Sequence, residues 1–246
     1  MKILFEISYL GSAYHGFQVQ KTLPTVQKTL QKALEEIYKA PLLVKGCSRT
    51  DAGVHARQFF CTAEGEIENA PPPEAIPYIA PRYLPEDIAV LSAKEVSDSF
   101  HVRYDVKYKE YRYYIHNAPF MDPFLVKRAY HYPKELDTDK MNIAAGYLVG
   151  RHDFEAYMAK GSDIKDTVRE IKYCRVERDG SRVAVIVAAD GFLYNMVRII
   201  SGTLLEVGTG AKDADSICKI TESKDRSMAG RTLPPDGLYL YRVCYE

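Results

Sequence analysis

Residues 2 to 9 alternate, with Ile3, Phe5, Ile7 and Tyr9 on one side, which is the period of a half-buried strand. Gly11 and Ser12 then read as a turn. From Pro24 the period changes. Val26, Leu30, Ala33, Leu34 and Ile37 recur at helical spacing, and Pro24 is expected inside the first turn, where a missing N–H costs no internal bond. LLVKGC (42–47) and QFFCTAEG (58–65) predict two strands, giving the order strand, helix, strand, loop, strand. Pro71, Pro72, Pro73, Pro77, Pro81 and Pro85 allow only a short helix or an irregular crossing before a strand at IAVLSAKEV (88–96).

The pattern then restarts. RYDVKYKEYRYYIH (103–116) alternates again, with Lys107, Lys109, Tyr111 and Tyr113 on one face. Asp137 is placed to cap a helix running to about Leu148, and VREIKYCRVERDGSRVAVIVAAD (168–190) predicts a hairpin folding at Asp179-Gly180. Met196, Ile200, Thr203, Leu204 and Val207 form the seam of a second long helix, DADSICKITES a shorter one, and GLYLYRVCYE a closing strand. Both halves mix strands with helices. We therefore expect an α+β protein of two ferredoxin-like halves, residues 1–103 and 104–246, with mainly antiparallel sheets packed side by side. No dinucleotide or phosphate-loop glycine spacing argues for a doubly wound sheet instead.

With 246 residues, 46% of them apolar, the chain can bury a proper core. Its 33 basic and 33 acidic residues sum to +0, which excludes a polycationic tail, so any nucleic-acid contact must come from a local basic patch. The five cysteines (47, 61, 174, 218, 244) have no C-x-x-C spacing and read as reduced, mostly core thiols. The histidines are scattered without ligand spacing, so no metal is expected. Nothing reads as a signal peptide or membrane span, and a cytoplasmic location is the expectation.

The densest chemistry lies in KGCSRTDAGVHARQF (45–59), around Asp51. Asp-Ala-Gly is ordinary turn material, with the carboxylate capping local N–H groups and Gly53 taking positive φ. Its neighbours suggest more. Arg49 is two residues away and in an extended chain projects to the same side, keeping the carboxylate anionic and suited to nucleophilic or electrostatic work. His55 and Arg57 add polar groups, although a lone histidine is more often a structural hydrogen-bonder. An aspartic hydrolase would need a second carboxylate signature, and none is present.

SRTDAGVHA (48–56) resembles the active-site motif of the tRNA pseudouridine synthase A family. Five further stretches resemble that family in order: YLGSAYHGFQ (9–18) with Thr25-Val26-Gln27, FHVRYDVKYKEYRY (100–113), GRHDF (150–154), GFLYNMVRIISGTL (191–204) and PPDGLYL (234–240). The resemblance implies the pseudouridine synthase fold with its active-site cleft between the halves. It also implies isomerisation of uridine to pseudouridine without cofactor or metal, a tRNA substrate held by its anticodon stem-loop, and a homodimer. Asp51 becomes the essential carboxylate, Tyr111 the residue that stacks on the everted uracil, and Leu238 the packing on its other side.

The arginines divide. Spacing makes Arg49 the partner of Asp51, whereas the resemblance gives that role to Arg198 and lets Arg49 fill the space left by the flipped base. On the second long helix Arg198 points away from the seam, yet Ser201, Gly202 and Leu205 share its side, a surface suited to close approach by another element, so we expect an Arg198–Asp51 pair. His55, Arg57, Arg103, Lys107 and Lys109 complete the expected RNA contacts. Phe17, Leu10 and Leu233 depart from the family pattern at positions that bear on substrate preference. Two other readings compete: the same chemistry on another RNA, such as ribosomal RNA, and a non-catalytic RNA-binding or chaperone protein.

Overall fold

The computed structural model describes residues 1–66, 71–161 and 164–245. The chain divides into two compact units, Met1–Lys107 with Leu240–Glu246, and Tyr108–Tyr239. The expected cut fell at 103/104 with everything after it in one half. The last strand makes the difference, because its final residues return to the first unit instead of ending in the second.

In the first unit β1 (Lys2–Tyr9), β2 (Leu43–Gly46), β3 (His55–Glu64) and β4 (Ile88–Glu95) form an antiparallel sheet in the order β4-β1-β3-β2. The alternation read in β1 is matched across the ladder. Ile3 faces Ala63, Phe5 faces Cys61 and Ile7 faces Phe59, so all six side chains share one face, and all are fully buried. Helix α1 (Val26–Tyr38) adds Val26, Leu30, Ala33, Leu34 and Ile37 to this core. Its cap is Thr25, whose Oγ1 accepts the Lys28 N–H at 3.4 Å. Pro24 therefore precedes the cap and is not in the first turn. The proline-rich stretch holds one short helix, α2 (Ile76–Ile79), between 3-10 turns, because successive prolines deny it the N–H groups a longer helix needs.

The second unit contains β5 (Tyr108–His116), β6 (Tyr130–His131), α3 (Thr138–Gly146), β7 (Gly150–Asp153), β8 (Val168–Asp179), β9 (Arg182–Ala189), α4 (Met196–Gly208) and α5 (Ser216–Ser223). Its sheet runs β5-β9-β8-β7 with antiparallel pairing, and β6 adds to β5 in parallel. Asp137 caps α3 as expected, its Oδ1 accepting from Lys140 N at 3.0 Å. The hairpin between β8 and β9 turns at Gly180 with φ +57. β6, β7 and the early start of β3 at His55 are too short or too polar to show in the alternation.

With the short β6 and β7 set aside, both units follow a strand-helix-strand-strand-helix plan with mixed α+β content. The closing strand is β10 (Leu238–Cys244), and the division between the units falls inside it. Its Leu240–Cys244 portion lies beside β3, with Val243 N–H donating to Gln58 Oε1 at 2.9 Å. Glu246, expected as the end of that strand, lies outside the described residues. No disulfide joins the five cysteines; Cys47, Cys61 and Cys174 are buried, and burial pushes the Cys174 thiol up to about 12. Among the described residues no helix is long and apolar enough to cross a membrane.

Candidate active site

Asp51 sits on the connection between β2 and β3, and the stretch after β1 holds that connection from several directions. Thr50 Oγ1 hydrogen-bonds the Tyr9 hydroxyl at 2.8 Å, and Phe17 N–H donates to the Thr50 carbonyl at 3.3 Å. Gly53 N–H donates to the Tyr14 carbonyl at 3.1 Å, and Gly11 N–H to His55 Nδ1 at 2.9 Å. Two glycines make this closeness possible. A Cβ on Gly11 would lie 2.0 Å from the Val54 carbonyl oxygen, and one on Gly16, whose φ is +86, would lie 2.3 Å from that of Thr50. This explains the glycines of YLGSAYHGFQ, which sequence reasoning could match but not account for. Tyr14 ties the stretch to the approach of β4 by donating its hydroxyl to Asp87 Oδ1 at 2.6 Å. Burial first, and the Asp87 bond second, push its phenol well above the ordinary value.

The turn at Asp51 has the backbone the tripeptide suggests: Val54 N–H donates to the Asp51 carbonyl at 3.1 Å and Gly53 has φ +81. The Asp51 side chain is half-buried, and its presentation depends on backbone already committed elsewhere. His55 was grouped with the RNA contacts, but it is 0% exposed and its Nδ1 is occupied by Gly11. Its burial and this bond make it a brace of the loop. Arg49 and Arg57, by contrast, are exposed.

Arg49 also borders a groove of about 370 Å³ with Arg103, Lys45, His101 and Tyr104. Its floor includes Phe17, which stacks on Phe59 with ring centroids 4.2 Å apart. A Cβ at Gly46 would come within 2.5 Å of the Phe17 ring, so glycine there leaves room for the stacked aromatic pair. Lys107 is exposed and precedes β5, its N–H bonded to the Cys244 carbonyl at 2.8 Å. The expected face is otherwise present: Lys109, Tyr111 and Tyr113 pair with Ala189, Val187 and Val185.

In the second unit Arg198 and the β5 strand that carries Tyr111 both meet the segment leading into Leu238. Arg198, on the first turn of α4, donates from Nε to the Leu233 carbonyl at 2.7 Å and from Nη1 to Asn195 Oδ1 at 2.6 Å. Tyr113 donates its hydroxyl to the next carbonyl, Pro234, at 2.8 Å; burial raises its pKa, against the lowering influence of Arg198. A Cβ on Gly237 would strike the Tyr114 carbonyl oxygen at 2.6 Å, so the chain entering Leu238 is pressed onto β5. Tyr111 is almost fully buried and meets Phe192 edge-on at 4.9 Å. The surface expected around Ser201, Gly202 and Leu205 is buried, and the element that covers it is the 230–231 segment. A Cβ on Gly202 would lie 1.9 Å from the Arg231 carbonyl oxygen.

GRHDF is structural. Asp153 accepts the Thr167 hydroxyl at 2.6 Å and the Glu155 N–H at 3.1 Å, and pairs with Lys224 at 2.7 Å. Burial alone would raise its carboxyl, but the bonds from Lys224 and Thr167 prevail and hold it below the ordinary range. Among the described residues no cluster of three or more His, Cys, Asp or Glu could hold a metal ion.

The comparisons agree with one another. A family model described as tRNA pseudouridine synthase matches residues 7–105 and 144–246. The chain is 42% identical over 243 residues to the tRNA pseudouridine synthase A of Thermoanaerobacter sp. (strain X514), covering 99% of each protein. It is 44% identical over 244 residues to that of Acetivibrio thermocellus, covering 97% of each, and 42% identical over 248 residues to that of Bacillus licheniformis, covering 100% of each.

Proposed function

We infer the reaction from kinship: the chain belongs to the tRNA pseudouridine synthase family. It is an isomerase that converts uridine to pseudouridine in tRNA. The N1–C1′ bond of the nucleotide breaks, a C5–C1′ bond forms, the proton leaves C5, and N1 gains one, so atoms balance without an external reagent.

Within this reaction Asp51 is the essential carboxylate, acting either on the base at C6 or at the sugar. Supporting this is the bracing of its loop by Tyr9, Gly11, Gly16 and His55, which fixes the backbone before any substrate arrives. Arg198 is assigned as its cationic partner and Arg49 as the group that fills the vacated stack. Tyr111 and Leu238 are assigned to opposite faces of the everted base, which leaves its helix at an unstacking cost of a few kcal/mol. Arg57, Arg103, Lys107 and Lys109 are assigned to the phosphates. The resemblance extends the proposal to the anticodon stem-loop, a homodimer and a cytoplasmic location.

The bracing of the Asp51 loop is the observation that carries the assignment of the carboxylate. Tritium release from C5-labelled uridine in tRNA tests it. The native protein is expected to release label, and Asp51→Ala to fall by roughly 10³-fold or more. Turnover by Asp51→Ala, or none by either protein, would reject the reading, and release only from ribosomal RNA would move the substrate.

A further inference from the structure

Tyr104 follows the FHVR stretch directly and is 74% exposed, although nothing in the chemistry assigned so far uses it. Its ring has two neighbours: His101 packs against it with centroids 4.1 Å apart, and the Arg103 guanidinium lies 5.7 Å from its centroid. A large aromatic ring held by a histidine and a cation, with most of its surface in water, is a platform.

The surroundings specify the ligand. The groove at this platform is lined by Lys45, Arg49 and Arg103, and by no carboxylate among the described residues. Lys45 is paired with Glu64 at 3.2 Å, whereas Arg49 and Arg103 are exposed and have no ion pair among the described residues. His101 is oriented by its own turn. Its Nδ1 accepts the N–H groups of Arg103 and Tyr104, each at 3.2 Å, so the neutral ring carries its proton on Nε2. The turn itself is closed by Asp105, whose Oδ2 accepts the His101 N–H at 2.8 Å.

We propose that this groove holds one unpaired nucleotide of the RNA next to the target uridine, its base stacked on Tyr104 and its phosphate at Arg103. The proposal rests on the tRNA isomerase reading and adds a residue to it. Position supports it: Arg49 lines the groove and lies two residues before Asp51 on the same braced connection. A strand whose target base is everted loses a stacking partner on each side. A second aromatic surface offsets that loss for a neighbour, and stacking of this kind tolerates any base. His101 Nε2 adds a donor for a phosphate or base edge.

The test compares kcat and KM of Tyr104→Ala and Tyr104→Phe with the native protein on tRNA, with melting temperatures measured in parallel. A stacking contact predicts that Tyr104→Ala raises KM by roughly 5- to 100-fold and leaves kcat within about 2-fold, and that Tyr104→Phe restores KM. Arg103→Gln is expected to lower the salt slope of binding by about one unit. An unchanged KM in Tyr104→Ala while the native protein turns over overturns the proposal and leaves the family reading intact, and so does a Tyr104→Phe variant as impaired as Tyr104→Ala. If the native protein releases no tritium, the isomerase reading fails separately. Binding of a labelled single-stranded pentaribonucleotide to native protein and Tyr104→Ala then decides the groove: weaker binding by the variant upholds it, and equal binding rejects it.

Discussion

The connection from β2 to β3 in the first unit and the one from β8 to β9 in the second occupy the same place in the same plan. Each joins two antiparallel neighbours. In the second unit it is a tight turn at Gly180, whose Cβ would meet nothing within 4 Å. In the first it spans residues 47–54, carries Arg49 and Asp51, and is held by three hydrogen bonds and two glycines from residues 9–17, with a fourth bond fixing His55 where β3 begins. A tight turn needs only local backbone freedom. A loop that must present a carboxylate in a fixed place has to recruit its rigidity from elsewhere in the chain.

Substitutions sharpen this contrast. The largest effect is the loss of roughly 10³-fold or more in tritium release for Asp51→Ala, with the melting temperature nearly unchanged. Next is Gly16→Ala, which meets both a positive φ and the Thr50 carbonyl and is expected to cost about 2–3 kcal/mol of stability along with activity, checked by denaturant unfolding and turnover together. Equal losses from Gly16→Ala and Gly180→Ala would break the comparison. Asp153→Asn comes third. The folded-state pKa of Asp153 is depressed, so its stabilisation is present above the ordinary value of 3.8 and is lost as pH falls through the depressed one. The variant should be about 1 kcal/mol less stable at neutral pH, with the difference shrinking on acidification, as urea midpoints across that range would record. The smallest effect is Gly180→Ala, about 1 kcal/mol or less from its φ of +57, with turnover untouched.

Where periodicity is strong, the chain could be read directly: β1, α1, α3, the β8–β9 hairpin and α4 stand where alternation, helical spacing, Asp137 and Asp179-Gly180 put them. Asp51 and Arg49 stood out because charge and glycine are concentrated there. Other features depend on contacts between distant residues and leave no periodic trace. The bond from Gly11 to His55 joins positions 44 apart, and it makes His55 a brace of the loop. Likewise the collision that requires Gly202 comes from Arg231, a neighbour in space only. The domain boundary was obscured for a simpler reason: β10 reads as one unbroken strand, and nothing in its alternation marks the passage between Tyr239 and Leu240.

That passage bears on biogenesis. Residues 240–244 flank β3 but leave the ribosome only after all of the second unit. Until then the β3 margin is an open template for any other extended chain. Translational stalling within α4 or α5 would therefore expose the older half of the polypeptide, not the newer one, to aggregation.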